Sequence, residues 1–371
     1  MPADGGPYAY ARAAFGNRLG FANAWSYWIT AWAGNAAIAV GWVLYVQVFI
    51  NKGGSALWSI LLVLAGLWSA ALVNLSGVRN TGAFQVATTV LKFVALAFVS
   101  IVGLFYIKSA NFSPWNAGGG SAISAIGGGM SIALFSYLGV EVAAVAAAKV
   151  RDPDRNVPRA TILGTLATAV LYLLSLVAVF GVLPAGKLAD SSAPFSAAVD
   201  AMLGGTAWGK VMAGVVIVSG LGALNGWTLV TAEMPRAAAA DGVFPRRFGR
   251  LNRRGVPAFG IVASTVLASL AVILNYLGSD GQTVFTTLVL MTGITAAVPY
   301  GFSALAQIKW GVAEGPRLAR DVVVAALALV FSVLFIVYSR NTGHGFWVYW
   351  APFYLSAAAL ALGIPVYRAR R

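Results

Sequence analysis

Apolar stretches alternate along this chain with short polar segments in which the charges collect. Ten such stretches stand out, near Phe21–Ile50, Leu57–Leu75, Ala83–Ile107, Ser121–Ala148, Ala160–Leu183, Trp208–Ala232, Pro257–Leu277, Thr283–Ile308, Asp321–Tyr338 and Phe346–Tyr367. Each is as long as the roughly 18 residues that cross about 30 Å of hydrocarbon at about 1.5 Å per helical residue. The pattern predicts an all-α integral membrane protein of about ten spans with the lipid bilayer as its surroundings. Composition agrees, because 59% of the 371 residues are hydrophobic and only 10% charged, against roughly 25% charged in soluble domains.

The formal charge of +14 raises the question of nucleic acid, and its distribution answers it. Alternate polar segments, beginning with the N-terminal one, hold Arg12 and Arg18; Arg79; Lys149, Arg151, Arg155 and Arg159; six arginines from Arg236 to Arg254; Lys309, Arg317 and Arg320; and Arg368, Arg370 and Arg371. The opposite set holds only Lys52, Lys108, Lys187, Lys210 and Arg340. Cytoplasmic loops collect Lys and Arg in this way, so the bias implies an even number of spans, both termini in the cytoplasm of a multi-pass inner-membrane protein, and no nucleic-acid partner. Zero cysteines exclude disulfides and thiolate metal sites. Met1 to Gly20 is polar and loop-like rather than a cleavable signal, which leaves the first span as the insertion signal.

The fourth span departs from the smooth pattern. Gly118 to Gly120 precede it, Gly127 to Gly129 interrupt it, and the run LFSYLGVE follows with Ser136, Gly139 and Glu141. Glycine weakens a helix by about 1 kcal/mol per residue, and non-helical backbone at membrane depth survives only beside protein or a water-filled cavity. Two readings follow: close helix packing through glycine, or a broken helix of the kind that binds a solute's charged ends. Glu141 favours the second. Of the eleven acidic residues it alone lies deep in an apolar run, where a charge costs about 2.5–3.5 kcal/mol on insertion scales and marks a functional site by default.

Lys92 is the other intramembrane charge, roughly 12 Å along its span from Phe84. Its side chain either snorkels to the surface or stands as a fixed ammonium in place of a bound sodium ion. Tyr27, Thr30, Ala31, Gly34, Asn35 and Ile38 share one face of the first span. That stripe suits either a solute path or interhelical hydrogen bonding. Trp227 in GALNGWT and the stretch from Thr292 to Tyr300 are similar cases. The one histidine, His344, sits in a short loop without a partner acid or nucleophile, so the chain lacks the convergent set an enzyme needs, and no catalytic residue, metal or cofactor is expected.

At these positions the chain resembles the amino acid, polyamine and organocation (APC) superfamily, and most of all its bacterial arginine/agmatine antiporters in the basic amino acid/polyamine antiporter family. GGPYAYARAAFG near the start, EVAAVAAAKVRDPDRNVPRA after the fourth span and AAAADGVFPRRFGRLNRRGVP after the sixth are similar to three of the family's cytoplasmic loops, in order. The resemblance implies a LeuT-type inverted-repeat helical bundle with the first and sixth helices broken around the substrate. On that frame the ten spans correspond to helices three to twelve, and the fourth span falls on the broken sixth helix. It also implies that residues 1–371 form a single transporter domain, N-terminally truncated relative to the family because the first two helices have no counterpart, and that a homodimer forms.

Carried over residue by residue, the resemblance places Tyr27, Glu141 and Tyr300 at the inner gate and Trp227 where an aromatic ring divides the pathway. It places Asn35 at the substrate head group, with Phe135, Leu138, Glu141 and Thr292 also lining the substrate site. Lys92 and Glu141 become the candidates for ion or proton coupling. Phe135 stands where the antiporters have Trp, Ala31 where they have Cys and Thr292 where they have Ser, and Lys92 resembles the lysine of other, proton-coupled or sodium-independent, amino acid transporters of the superfamily.

The function this implies is secondary active transport of amino acids by alternating access, by a permease or antiporter for which a cationic amino acid or its amine is favoured. Neutral substrates, a non-transporting truncated membrane protein, and a ten-helix carrier of two five-helix halves with breaks in its first and sixth spans are the competing expectations.

Overall fold

A computed structural model of the chain describes residues 5–77, 81–116, 120–142, 150–314, 319–340 and 345–369. Arg79, Gly118, Gly119, Lys149, Arg317, His344, Arg370 and Arg371, which entered the sequence reading, lie outside the described residues. Those that are described form helices and no strand: α1 (Pro7–Phe15), α2 (Asn17–Val46), α3 (Ala56–Leu75), α4 (Thr81–Gly103), α5 (Ala122–Tyr137), α6 (Pro153–Val182), α7 (Ala185–Ala189), α8 (Pro194–Leu203), α9 (Ala207–Ala240), α10 (Ala258–Tyr276), α11 (Gly281–Glu314), α12 (Ala319–Tyr338), α13 (Phe346–Ala361) and α14 (Gly363–Ala369). Among the described residues nine helical stretches are long and apolar enough to cross a bilayer. The tenth expected span is α5, which at 16 residues stops short of a full crossing. Helices dominate because the hydrocarbon offers no water to backbone N–H and C=O groups, and a helix satisfies them internally.

The bundle is built around α2. Its residues from Asn23 to Ala37 are buried on every face, the signature of a central helix rather than an amphipathic surface one. Small residues such as Ala24, Ala33, Ala36 and Ala37, all at 0% exposure, let α9 and α11 approach closely. Helices α6 and α12 instead present Leu163, Leu166, Leu173, Val323, Leu327 and Val330 outward, an apolar surface suited to lipid.

Proline interrupts several of the helices, and at Pro299 of α11 and Pro235 of α9 residues of α2 take part in the answer. Pro299 in α11 has no N–H for the carbonyl of Thr295 four residues earlier, and the Ser26 hydroxyl donates to that carbonyl at 2.8 Å. Pro235 in α9 likewise releases the Thr231 carbonyl, to which the Ser264 hydroxyl of α10 donates at 3.4 Å. The Trp28 indole N–H donates to the Ser264 oxygen at 2.8 Å and so holds it in place. Thr30 adds a hydroxyl bond to Thr295 at 2.9 Å. The stripe on α2 is thus partly a device for closing the backbone of bent neighbours.

The arginine-rich end is tied by α1. The Tyr8 hydroxyl donates to Asp241 at 3.0 Å, Arg12 pairs with the same carboxylate at 2.7 Å, and the Lys309 ammonium donates to the Ala14 carbonyl at 2.5 Å. Burial, with Asp241 beside it, raises the Tyr8 phenol well above its usual range. At the opposite end Asp280 caps α11, accepting from the N–H groups of Gln282 and Thr283 at 2.9 and 3.0 Å and from the Thr283 hydroxyl at 2.8 Å.

Burial alone pushes the Asp280 carboxyl up, but those hydrogen bonds outweigh it and the net direction is down. A carboxyl held below its unfolded value stabilises the fold above that value, about pH 3.9, and the contribution fades as pH falls through the folded pKa. Asp280→Ala is expected to lower unfolding stability in detergent by about 1 kcal/mol near neutral pH. The difference from wild type should shrink in acid, and a pH-independent difference would show that the charge is not responsible. Ser26→Ala, which orphans the Thr295 carbonyl, is expected to cost about 1–3 kcal/mol in the same assay, whereas Ser76→Ala, at an exposed helix end, should stay within about 0.5 kcal/mol.

Candidate functional site

Helix α5 ends where the glycine-rich run predicts a break. Leu138 turns to an extended conformation at φ −62° and ψ 135°, and Gly139 follows at φ +107°, a region that residues with a Cβ rarely enter. The chain then continues in turns, with the Val142 N–H donating to the Gly139 carbonyl at 3.1 Å. A Cβ at Gly139 would also lie 3.3 Å from Cζ2 of Trp227 on α9. Glycine is therefore required here for its backbone angle and for the close approach of an aromatic ring.

Glu141 gathers the donors around this break. Tyr27 on α2 donates its hydroxyl to Oε1 at 2.8 Å, Tyr300 on α11 donates to Oε2 at 2.9 Å, and the Gly139 N–H donates to Oε2 at 3.0 Å. One carboxylate thus closes a loop of peptide freed from its helix and pins that loop to two other helices. The acid points into the bundle, not towards lipid. Tyr300 also borders a cleft of about 670 Å³ between α11 and α12, with Ser303, Gln307, Asp321 and Phe335 along it. The broken segment from Ser136 to Val140 borders a second hollow of about 350 Å³ against Thr161, Thr165, Thr168 and Tyr172 of α6.

One to two turns further along α2 a second group converges. Built onto Gly34, a Cβ would meet Cγ2 of Thr292 at 3.4 Å and Cε2 of Phe135 at 3.8 Å, so α2, α5 and α11 meet there. Phe135 stands edge to face with Phe285 at 6.4 Å between ring centroids. The Thr292 hydroxyl donates back to the Leu288 carbonyl at 2.7 Å, which leaves its methyl and a spare lone pair facing Gly34. Asn35 is 3% exposed and donates through Nδ2 to the Thr228 hydroxyl oxygen at 3.0 Å. Its Oδ1 is buried without a partner, an acceptor whose isolation costs free energy unless something donates to it.

Seven of the residues singled out from sequence, Tyr27, Asn35, Phe135, Leu138, Glu141, Trp227 and Tyr300, thus cluster along α2 and the break, with Thr292 joining them through Gly34. Lys92 does not belong to that cluster. It lines a separate cavity of about 240 Å³ with Tyr45, Phe195, Met212 and Ser219, in the half of the bundle away from the arginine-rich end, so it does not snorkel towards that end. The Ser219 hydroxyl beside it is buried without a partner.

Thr228 and Phe285 were not anticipated. Phe285 precedes Thr292 by two helical turns and so shares its face, a periodicity the sequence displays. Thr228 gave no signal beyond its place after Trp227. The alternative of paired breaks in the first and sixth spans is corrected by the coordinates, since α2 and α9 are continuous and the break lies in the fourth.

The family profile described as "Amino acid permease" matches residues 1–361. The chain belongs to the amino acid permease family. Similar curated members include the putrescine transporter PotE of Haemophilus influenzae, 30% identical over 89% of this chain and 76% of that protein. The arginine/agmatine antiporter of Chlamydia pneumoniae is 30% identical over 98% of this chain and 76% of its own length. The arginine/ornithine antiporter ArcD1 of Lactococcus lactis is 28% identical over 96% and 70%. Membership places this multi-pass membrane protein among APC transporters with a LeuT-type helical bundle.

The hydrogen bonds at Glu141 are unequal. Among the described residues Oε1 receives Tyr27 alone, while Oε2 retains the Gly139 N–H if Tyr300 is lost. Tyr27→Phe is expected to destabilise this permease by about 1.5–3 kcal/mol and Tyr300→Phe by less, measured by thermal unfolding of the two variants in detergent. The reverse order would contradict the assigned geometry.

Proposed function

We propose that this permease moves amino acids or their amines by alternating access, as a secondary active transporter of the exchanger type, with a cationic amino acid or its amine favoured. The observation that carries the reading is the Glu141 carboxylate held by Tyr27 and Tyr300 beside a broken helix. Such a clamp can shut one end of a path lined by α2, α5 and α11, and it can open when its hydrogen bonds are surrendered. The names of the similar proteins, which handle putrescine, arginine, agmatine and ornithine, support the choice of substrate class.

In this reading Tyr27, Glu141 and Tyr300 form the inner gate and Trp227 stands across the path beside Gly139. Asn35 Oδ1 is the unsatisfied acceptor that an ammonium or guanidinium would fill, and the freed peptide at Leu138 supplies further carbonyls. Phe135 and Trp227 offer ring faces to a cationic side chain, while Thr292 sets the width opposite Gly34. Glu141 couples gate opening to proton or substrate charge, and Lys92 acts from its separate cavity as a fixed charge bracing α4 against α9. The arginine-rich end faces the cytoplasm of a bacterial inner membrane, following the bias of positive charge.

The test is reconstitution of the chain in vesicles, with uptake of labelled arginine, putrescine and leucine followed against internal unlabelled substrate, together with binding measured directly by calorimetry. Wild type is expected to exchange the cationic substrates. Glu141→Gln, which replaces one acceptor oxygen with a donor, is expected to lower exchange about tenfold or more. Exchange at the wild-type rate by this variant would remove Glu141 from the gate, and folded protein that neither binds nor exchanges any of the three would defeat the transport reading for this chain.

A further inference from the structure

A crevice of about 350 Å³ opens between the first turns of α2, Val298 in the middle of α11 and the joint of α13 and α14. The joint makes it. Helix α13 ends at Ala361, Leu362 caps it and α14 restarts at Gly363, and the missing side chain of Gly363 lets the chain lie on Trp25, where a Cβ would come within 2.7 Å of Cδ1. The Trp25 indole N–H donates to the Ala359 carbonyl at 2.9 Å, so the ring is fixed as one wall. Phe21 stacks on Trp25 at 6.0 Å and packs at 4.9 Å against Tyr367. Leu360 and Ile364 continue this aromatic and aliphatic wall.

Two arginines complete it. Arg18 in the first turn of α2 and Arg368 in the last turn of α14 both border the crevice, both are exposed, and neither forms an ion pair with a carboxylate among the described residues. A pair of guanidinium groups at the rim of an apolar slot selects an amphipathic anion: the guanidinium fork matches phosphate oxygens, and the slot takes hydrocarbon that a soluble anion lacks. Basic pockets between spanning helices, at the level of the headgroups, take lipid phosphates in this way.

We propose that the crevice is a binding site for one anionic phospholipid, its phosphate on Arg18 and Arg368 and an acyl chain against Trp25, Leu360 and Ile364. Because α2 carries Tyr27 and Ser26 two turns beyond Arg18, a lipid seated there braces the central helix from outside the transport path. The site is independent of the substrate reading given above.

Native mass spectrometry of the whole chain, released from nanodiscs of equal phosphatidylglycerol and phosphatidylcholine, reads the retained lipid directly. Wild type is expected to retain phosphatidylglycerol over phosphatidylcholine. The double variant Arg18→Gln/Arg368→Gln is expected to lose that preference about tenfold, while Arg340→Gln at the opposite end keeps it. Ile364→Trp, which fills the slot and leaves the arginines, separates a lipid from a free anion: loss of retention supports the lipid, whereas unchanged retention, or displacement of the lipid by millimolar inorganic phosphate, overturns it. Equal retention of both lipids by wild type, an unaltered preference in the double variant, or a dimer whose interface buries the crevice without lipid would each overturn the assignment as well.

Discussion

Inside a bilayer a peptide group released from its helix has no water to turn to, and the architecture of this protein follows from where its chain is released and what answers. Each unsatisfied group costs several kcal/mol in hydrocarbon, so every proline or glycine that opens a helix needs a partner supplied by another element. The Thr295 carbonyl finds Ser26, the Thr231 carbonyl finds Ser264 steadied by Trp28, and the Ala359 carbonyl finds Trp25. Three of those four side chains lie on α2, which explains why that helix is buried on all sides and why polar residues recur along it. The break after α5 is the case in which the answer is a carboxylate, and the carboxylate brings two phenols with it.

That difference separates a structural repair from a site. Serine and tryptophan donors satisfy a carbonyl and stop there. Glu141 accepts from Gly139 to hold the loop and still has oxygen capacity for Tyr27 and Tyr300, so the loop, α2 and α11 are joined through one ionisable group. Breaking the joint requires only that hydrogen bonds be exchanged, not that a core be unpacked, which is what a gate demands. Asn35 supplies the complementary feature further in, a buried acceptor left open. Membership of the amino acid permease family fits a molecule in which polar groups at membrane depth are arranged in these two grades.

Much of this was legible in the sequence because bilayer physics writes itself in long runs. The spans, the alternation of basic segments and the interruption near Gly139 all depend on local composition, and each expected stretch holds a helix, though α5 stops well short of Ala148, α6 and α9 extend by two turns beyond the apolar runs, and the segment read as loop-like before the first span holds α1. Glu141 was conspicuous as a lone acid in an apolar run. What stayed hidden was pairing across elements. Nothing local ties Ser26 to Pro299 or Ser264 to Pro235, and Thr228 as the partner of Asn35 depends on α2 and α9 crossing at one place. Lys92 was equally plain as a charge, but its place carried no spatial information, and the fold sets it in a cavity apart from Glu141. The aromatic slot beside Arg18 and Arg368 required the α13–α14 joint, which reads in the sequence as one continuous apolar span.

The central claim is that the hydrogen bonds of Glu141 keep one end of the α2 path shut. Because the chain has no cysteine, a single Ala31→Cys, one turn from Tyr27 and 1% exposed in the closed arrangement, reports on opening without background. The measurement is its rate of modification by a membrane-impermeant thiol reagent applied from the arginine-rich side, with Glu141 intact and with Glu141→Gln. Slow modification with the carboxylate and a rise of about tenfold or more without it is the predicted result; equal rates would contradict the account.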